Sequence, residues 1–301
     1  MPEPVISVRG LTKSYGEVEA VRGIDLEIHA GEVFAFLGPN GAGKTTTVEI
    51  LEGFRERDGG YATVLGEDPA KADRSWRERV GFVLQQTKPD AYLTVRESLE
   101  LFAGYYSAPR SIDETIELIG LVAATDQRAK QLSGGQQRRL DVGLALIGDP
   151  ELLFLDEPTT GFDPSARRQF WALIRTLSGL GKTIFLTTHY MEEAQELAGR
   201  AAIIANGEIV AEGSPADLGN RESAPARISF RHPGGIFLGD IPGAFDGSMT
   251  ADGTISFSSH EPVRALNALT EWALSNGSGL DGLEVRRPTL EDVYLELTKS
   301  E

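Results

Sequence analysis

The sequence predicts an α/β fold: a parallel sheet with helices on both faces, a helical subdomain inserted into it, and a small α+β domain after it. Three observations predict this fold. Short apolar runs alternate with helix-like segments, which is typical of a buried parallel sheet. The apolar runs are missing between residues 89 and 149, where helical patterns dominate. After residue 218 the pattern changes again, to short strands around one good helix.

The strands are predicted from uninterrupted apolar runs. Val33–Leu37 is apolar throughout, as expected for a strand that is buried on both faces. Further strands are predicted at 5–8, 18–21, 23–28, 152–155, 183–186 and 201–205. Helices are predicted at 95–106, 112–119, 165–177 and 191–197.

These elements divide the 301 residues into two predicted domains. The first spans 1–218 and contains the helical subdomain at about 89–149, while the second, an accessory or regulatory domain, spans 219–301. The second domain is predicted from its strands, its helices and its turn pairs. Its strands are placed at 226–231 and 254–258, its helices at 262–274 and 289–299, and its turns at Asp246-Gly247, Asp252-Gly253 and Asp281-Gly282.

Composition excludes several classes of function. The chain has no cysteine, which excludes disulfides, thiolate metal sites and cysteine nucleophiles. Its net charge of -16 disfavours nucleic acid as a partner, because phosphate backbones are repelled. No apolar run is long enough to span a bilayer, and residues 1–4 lack the pattern of a signal peptide. A cytosolic protein is therefore expected.

A glycine-rich loop follows the predicted strand Val33–Leu37. It fits G-x-x-x-x-G-K-[ST] and comprises Gly38, Pro39, Asn40, Gly41, Ala42, Gly43, Lys44 and Thr45, with Thr46 opening a helix. Glycines let backbone N–H groups turn towards a phosphate, and the helix N-terminus adds partial positive charge. Lys44 is expected to reach the β- and γ-phosphates, and the Thr45 hydroxyl to bind Mg²⁺. The alternative is a plain glycine-rich turn between a strand and a helix.

Two carboxylates end the predicted strand 152–155. Asp156 is placed to hold Mg²⁺, and Glu157 to orient or deprotonate an attacking water, because ligands bind at the carboxyl ends of parallel strands. An acidic turn closed by Pro158 is the alternative reading. Together the two sites predict a P-loop NTPase, without deciding between a kinase, a GTPase and a mechanical ATPase.

A second glycine pair lies at the start of another helix, in the segment 132–136. Ser133 and Gln136 fit a helix capping box, but capping does not explain Gly134 and Gly135 between them. These glycines expose a second set of backbone N–H groups as an anion site. One nucleotide cannot use two distant sites of one chain, so we expect a head-to-tail homodimer that holds ATP between one P-loop and the partner's 132–136 segment.

At this point the sequence resembles the ATP-binding cassette (ABC) ATPases over about residues 5–215. By this resemblance, Tyr15 stacks on adenine, Gln85 contacts Mg²⁺ and water, Asp163 lies in a loop at the dimer contact, and His189 contacts the γ-phosphate. Phe162 stands where the family more often has leucine. Taken singly, each residue also has an ordinary structural explanation, and Gln86 is the alternative to Gln85. The resemblance also implies antiparallel N-terminal strands beside a RecA-like sheet.

The resemblance implies Mg²⁺-dependent ATP hydrolysis that drives transport through a separate integral membrane permease. The segments 188–194 and 287–298 resemble the ATPase subunits of ABC-2 type exporters, including the daunorubicin-resistance group. The helical subdomain is expected to dock a cytoplasmic helix of the permease, which would place the chain at the cytoplasmic face of the membrane. The alternative is a soluble ABC protein that acts on ribosomes or DNA; the single cassette and the acidic charge disfavour it.

Overall fold

The computed structural model describes residues 3–84, 90–218, 225–232, 241–242, 247–250, 252–287, 290, 292 and 294. The chain forms two compact units whose main segments are 1–215 and 216–299. Within the described residues, no helix has both the length and the apolar character needed to cross a bilayer.

A three-stranded antiparallel sheet opens the first unit. It contains β1 (Ile6–Tyr15), β2 (Val18–Ile28) and β4 (Gly59–Val64) in the order β2-β1-β4. The expected antiparallel N-terminal strands are therefore present. β1 is longer than the predicted 5–8, because it continues past an irregularity at Gly10, which has a φ of 55°. A glycine adopts this backbone at little cost, so the strand bends without ending.

The second sheet of this unit has six strands and is parallel except for its last strand. Its strands are β3 (Val33–Leu37), β5 (Val80–Val83), β6 (Leu152–Asp156), β7 (Thr183–Thr188), β8 (Arg200–Ala205) and β9 (Glu208–Gly213), in the order β5-β6-β7-β3-β8-β9. All five residues of β3 are buried, as its apolar run predicts. β9 pairs antiparallel with β8 through Asn206 and Gly207, both with positive φ, which is the backbone of a tight hairpin turn.

Seven helices are described in the first unit. They are α1 (Lys44–Leu51), α2 (Arg74–Glu78), α3 (Val95–Ala103), α4 (Ile112–Leu118), α5 (Gly134–Leu146), α6 (Pro164–Gly179) and α7 (Met191–Leu197). Residues 90–149 hold α3, α4 and α5 with two short 3-10 turns and no strand. This segment is the helical insertion predicted from the loss of apolar runs.

Aromatic side chains in the core of the first unit hold neighbouring strands of the parallel sheet together. Phe34, Phe154 and Phe185 are fully or almost fully buried, with ring centroids 5.5 Å apart for Phe154 and Phe185 and 5.9 Å apart for Phe34 and Phe185. These rings lie on β3, β6 and β7, so packing holds in register the three strands from which the site residues follow.

In the described part of the second unit, a four-stranded antiparallel sheet is accompanied by the helix α8. It contains β10 (Ala226–Arg231), β11 (Ser248–Met249), β12 (Thr254–Ser259), α8 (Pro262–Asn276) and β13 (Asp281–Arg286), with strand order β11-β12-β10-β13. Ile228, Phe230 and Leu269 pack in its core. Asp281-Gly282 begins β13, although the sequence predicted a turn there. Most of the predicted helix 289–299 lies outside the described residues.

Candidate functional site

The glycine-rich loop connects β3 to α1 and is tightly enclosed. A Cβ atom at Gly38 would lie 2.5 Å from the carbonyl oxygen of Ile204, and one at Gly43 would overlap the carbonyl oxygen of Ala20. Gly43 also has a φ of 105°, which L side chains rarely adopt. Both positions therefore require glycine, and the path of the loop is fixed by neighbouring backbone.

Lys44 begins α1 and is 6 % exposed. Its Nζ donates hydrogen bonds to the carbonyl oxygens of Gly38 (2.7 Å) and Pro39 (3.1 Å), so the ammonium closes the loop on itself. Burial lowers the pKa of Lys44, and the negative charges of Glu157 and Asp156 oppose that shift. The loop and the end of β6 thus interact electrostatically.

The hydroxyl of Thr187, at the end of β7, binds both acidic residues that end β6. It donates to Oδ1 of Asp156 and accepts a hydrogen bond from the backbone N–H of Glu157 at 3.0 Å. The same N–H lies 3.1 Å from the carbonyl oxygen of Thr187. One side chain therefore holds the carboxylate of Asp156 and the backbone of Glu157. The sequence analysis missed Thr187, although it stands two residues before His189 at a strand end.

Glu157 and His189 lie side by side. Nδ1 of His189 is 3.3 Å from Oε2 of Glu157, and the Thr160 hydroxyl donates to that same oxygen at 3.2 Å. The side chain of Glu157 is 12 % exposed, and its φ of 43° is a strained value for a residue with a side chain. The carboxylate lies beside an imidazole and a hydroxyl group, which is a geometry suited to holding a water or a proton.

Ser133 and Gln136 form the predicted capping box of α5. The Gln136 N–H donates to the Ser133 hydroxyl at 3.3 Å, and the Ser133 N–H donates to the Gln136 side-chain oxygen at 2.9 Å. α5 begins at Gly134, directly after the Ser133 N-cap. A Cβ at Gly135 would lie 3.2 Å from that of Ala166, whereas one at Gly134 would meet nothing within 4 Å. Packing accounts in part for Gly135 and not for Gly134.

This segment lines a cleft of about 160 Å³, which we call the Ser133 cleft. Its walls are Ser133, Gly135, Gln136, Arg139, Asp163, Ser165, Ala166 and Gln169. Asp163 caps α6, accepting from the N–H groups of Ser165 (2.8 Å) and Ala166 (2.9 Å). Ser133 and Asp163 therefore lie on one surface. No residue of the 38–45 loop is among the described residues that line it.

Tyr15 ends β1 and is 42 % exposed. Its ring lies between two cations, with Nζ of Lys13 at 5.8 Å and Cζ of Arg55 at 5.1 Å from the ring centroid. Both distances are within the range of cation–π attraction. The ring is therefore a supported, solvent-facing aromatic surface, and the two cations beside it were not identified from the sequence.

Gln85 lies outside the described residues, but the segment before it is tied to the site by Arg138. This buried arginine of α5 donates to three carbonyl oxygens, those of Leu84 (2.5 Å), Asp156 (2.8 Å) and Pro158 (3.1 Å). Arg138 therefore joins α5 to the ends of β5 and β6. Sequence reasoning missed it, because an arginine on a helix face is more often exposed.

The donor set at the loop suits Mg²⁺ in combination with phosphate. Within the described ranges, no three His, Asp or Glu side chains are grouped to hold a metal ion. Mg²⁺ is commonly bound by one or two carboxylates, with phosphates and water completing its shell. Asp156 is partly buried and Thr45 exposed, so these two oxygen donors fit such a shared site. Pro39 is partly buried, and Asn40 and Gly41 are exposed at the mouth of the loop.

Comparison with known proteins covers both units. Residues 21–160 match the family described as ABC transporter, and 226–289 match the C-terminal domain of ABC transporter domain-containing proteins. The chain is 39% identical to Nod factor export ATP-binding protein I of Burkholderia lata over 100% of this chain and 99% of that protein. It is 39% identical to daunorubicin resistance ATP-binding protein DrrA2 of Streptomyces coeruleorubidus, over 97% of this chain and 94% of that protein.

A solved structure supports the fold of the first unit. The chain resembles an ATP-binding cassette determined as a dimer in a post-hydrolysis state with ADP and Pi, with a TM-score of 0.62 and 27% identity. The match covers 69% of this chain and 98% of that cassette.

Proposed function

The chain belongs to the ABC transporter family of ATP-binding proteins and is an ATPase coupled to transport, and from this we propose that a head-to-tail dimer of it powers export through a separate integral membrane permease. The export direction is supported by the relatives named for Nod factor export and daunorubicin resistance, which match this chain over almost its whole length. The dimer is supported by the cassette solved as a dimer.

The observation that carries the catalytic part is the meeting of Lys44, Asp156, Glu157 and His189 at one edge of the parallel sheet. Lys44 and the loop N–H groups would bind and neutralise the phosphates. Glu157 would orient the attacking water and accept its proton, and His189, 3.3 Å away, would hold the carboxylate and the transferred phosphoryl group in place. Asp156 and Thr45 would hold Mg²⁺, which neutralises charge that develops on the phosphates.

The remaining predicted residues would complete the nucleotide site. Tyr15 would stack on adenine, supported by its exposure and its two cations. Ser133, Gly134 and Gly135 of the partner would cover the γ-phosphate from the other side. This arrangement is supported by the Ser133 cleft, whose walls include no residue of the 38–45 loop among those described. Closure of the dimer would then require ATP, because ATP would contact both subunits. Hydrolysis would remove this bridge between them.

Purification from native membranes tests the proposal. The tagged chain is extracted in detergent at moderate salt, its integral membrane partner is identified, and the complex is reconstituted in liposomes for ATPase and transport measurements. We expect one multispanning partner and ATP-dependent transport. Recovery of ribosomes or DNA in place of an integral protein would replace export with the soluble alternative.

A further inference from the structure

A buried carboxyl group lies close to the turn that carries His189. It belongs to Glu193, the third residue of α7, which is 0 % exposed. The nucleotide site described above does not use this acid. Because a carboxyl group is costly to withdraw from water unless other groups satisfy it, the contacts of Glu193 indicate what it does.

On one side, the carboxyl group is held by α6. The indole Nε1 of Trp171 donates a hydrogen bond to Oε1 of Glu193 at 3.3 Å, and Trp171 is itself buried. This bond joins α6 to the first turn of α7, directly after the turn that carries His189. Glu193 is therefore anchored to a long helix outside that turn.

The hydroxyl of Thr188, at the end of β7, connects Glu193 to the His189 turn. It accepts a hydrogen bond from the backbone N–H of Tyr190 at 3.0 Å, and this bond spans His189. A hydroxyl that accepts one hydrogen bond still has its own proton to donate. Burial raises the pKa of Glu193, and hydrogen bonding with Thr188 works against that rise. The carboxyl group thus orients the hydroxyl that holds the turn.

The same carboxyl group acts on the loop that follows Glu157. Thr159 stands two residues after Glu157 and is fully buried. Its hydroxyl also works against the effect of burial on the pKa of Glu193. Among the described residues, neither Oγ1 of Thr159 nor Oε2 of Glu193 has another hydrogen-bond partner. Each of these two buried atoms is therefore the available partner of the other.

We propose that Glu193 is a positioning residue that keeps His189 in place beside Glu157. Its carboxyl group does so by holding two hydroxyl groups, those of Thr188 and Thr159, one in each of the segments that carry the two residues. The inference rests on the proposed function, because the arrangement that it maintains is the 3.3 Å approach of His189 to Glu157.

Neither the start of α7 nor the packing of the imidazole requires a buried acid at this position. Glu192, exposed in the same turn, already supplies the negative charge that favours a helix N-terminus. The His189 ring packs against that of Tyr190, with centroids 4.0 Å apart, and Arg167 lies 4.7 Å from the Tyr190 centroid. Ring packing therefore supports the imidazole, while Glu193 supports the backbone that carries it.

Removing the carboxyl group while keeping the size of the side chain tests the inference in the full chain. Glu193→Leu should lower kcat for ATP hydrolysis by about tenfold or more and change KM by less than about threefold, because other residues bind the nucleotide. Glu193→Gln keeps an acceptor oxygen and should restore kcat to within about threefold of the unchanged chain. Glu196→Leu, at an exposed position of the same helix, is the control and should keep the normal kcat.

Thermal unfolding shows whether each variant is folded. Thr188→Val removes the hydroxyl, keeps the shape of the side chain and gives the same test without altering Glu193. We expect it to lower kcat as Glu193→Leu does. A normal kcat in folded Thr188→Val, or an equal loss in Glu193→Gln and Glu193→Leu, contradicts the proposal.

A double-mutant cycle separates positioning of the histidine from a general loss of packing. In a chain that carries His189→Ala, Glu193→Leu should lower kcat no further, because no imidazole is left to position. A further loss of the same size, or a normal kcat in Glu193→Leu alone, overturns the inference while the role proposed for His189 stands. Normal turnover by His189→Ala overturns that role and the inference together.

Discussion

The hydroxyl of Thr187 shows how one residue organises this site. It donates to Asp156 and accepts from the N–H of Glu157, so the metal-binding and water-orienting roles proposed for those acids share one anchor. Glu157 is further held by Thr160 and lies 3.3 Å from His189. The position of the carboxylate is thus determined by three neighbours rather than by the strand alone.

Replacing Glu157 by Gln should keep ATP binding but lower the hydrolysis rate by about 10²–10⁴-fold, because the amide cannot accept a proton from water. The variant should accumulate as a closed dimer with ATP. Single-turnover hydrolysis and size-exclusion chromatography measure the two effects. Glu192→Gln, at an exposed position of α7, is the control and should hydrolyse ATP normally. In a separate test, Lys44→Ala should fail to bind nucleotide, because the proposed phosphate-binding ammonium is removed. Normal turnover by the Glu157 variant or by the Lys44 variant would contradict the role assigned to that residue.

Two buried acids, Glu52 at the end of α1 and Asp141 in α5, should make stability fall as pH rises. Burial raises the pKa of Glu52 from 4.5 to about 8 and that of Asp141 from 3.8 to about 7, so the folded state binds these protons more tightly than the unfolded chain does. Their favourable contribution is complete below about pH 4 and is lost as pH rises through 7 and 8.

We expect the Glu52→Gln/Asp141→Asn variant to gain stability over the unchanged chain between pH 5 and pH 8. The gain should be on the order of 1 kcal/mol per pH unit for each acid. Urea unfolding at several pH values measures the difference, which also cancels the titration of other groups. Parallel curves for the two proteins would show that these acids ionise normally.

Among the elements, α5 has the most connections to the site. It starts at the capping box of Ser133, holds the ends of β5 and β6 through Arg138, and places the buried acid Asp141 3.8 Å from Arg138. The helix therefore links one proposed nucleotide contact to the backbone at the ends of β5 and β6. Because a helix is stiff along its axis, a displacement at one end is carried to the other.

The phosphate loop, as an element, depends on close backbone contacts. Gly38→Ala should lower the free energy of unfolding by about 1–3 kcal/mol and weaken ATP binding, because its Cβ would lie 2.5 Å from the Ile204 carbonyl oxygen. Gly179→Ala at the end of α6 meets nothing within 4 Å and is the matched control. Urea unfolding and nucleotide titration check both. Equal stability of the two variants would mean that β8 yields to the added methyl group.

The sequence allowed the parallel strands and the site motifs to be predicted because each is local. Val33–Leu37 is apolar throughout and proved buried throughout, and Ser133 with Gln136 forms the expected cap. β9 was missed because its residues alternate between exposed and partly buried at the sheet edge. Arg138 and Thr187 were missed because their roles arise from residues distant in the sequence. The binding roles of Tyr15, Gln85 and Asp163 stay predictions.

On the scale of the whole molecule, the chain combines a cassette with a smaller unit that has its own core. Ile228, Phe230, Ile255, Phe257 and Leu269 pack together in that unit. Val263 is 80 % and Leu274 84 % exposed on α8. Exposed side chains of this size, on a unit that the cassette chemistry does not need, support the hypothesis that the unit holds or regulates the ATPase dimer.

A chain that ends at Leu218 should therefore show weaker dimerisation and less assembly with the permease, by about threefold or more, while still binding ATP. Analytical ultracentrifugation with ATP, the ATPase rate and co-purification from membranes are the measurements. The full chain, treated identically, is the reference. Equal values in all three would leave the second unit without a part in the ATPase cycle.

Finally, the hydrogen bonds from Lys44 to the carbonyl oxygens of Gly38 and Pro39 bear on product release. When ADP departs, the buried ammonium has two acceptors in its own loop, so it is not left desolvated and unpaired. The hydrogen bonds to Gly38 and Pro39 would replace the contact between Lys44 and the nucleotide. We therefore expect the loop to keep its shape until the next ATP binds. By the proposed role of Lys44, the same contact would compete with an incoming phosphate.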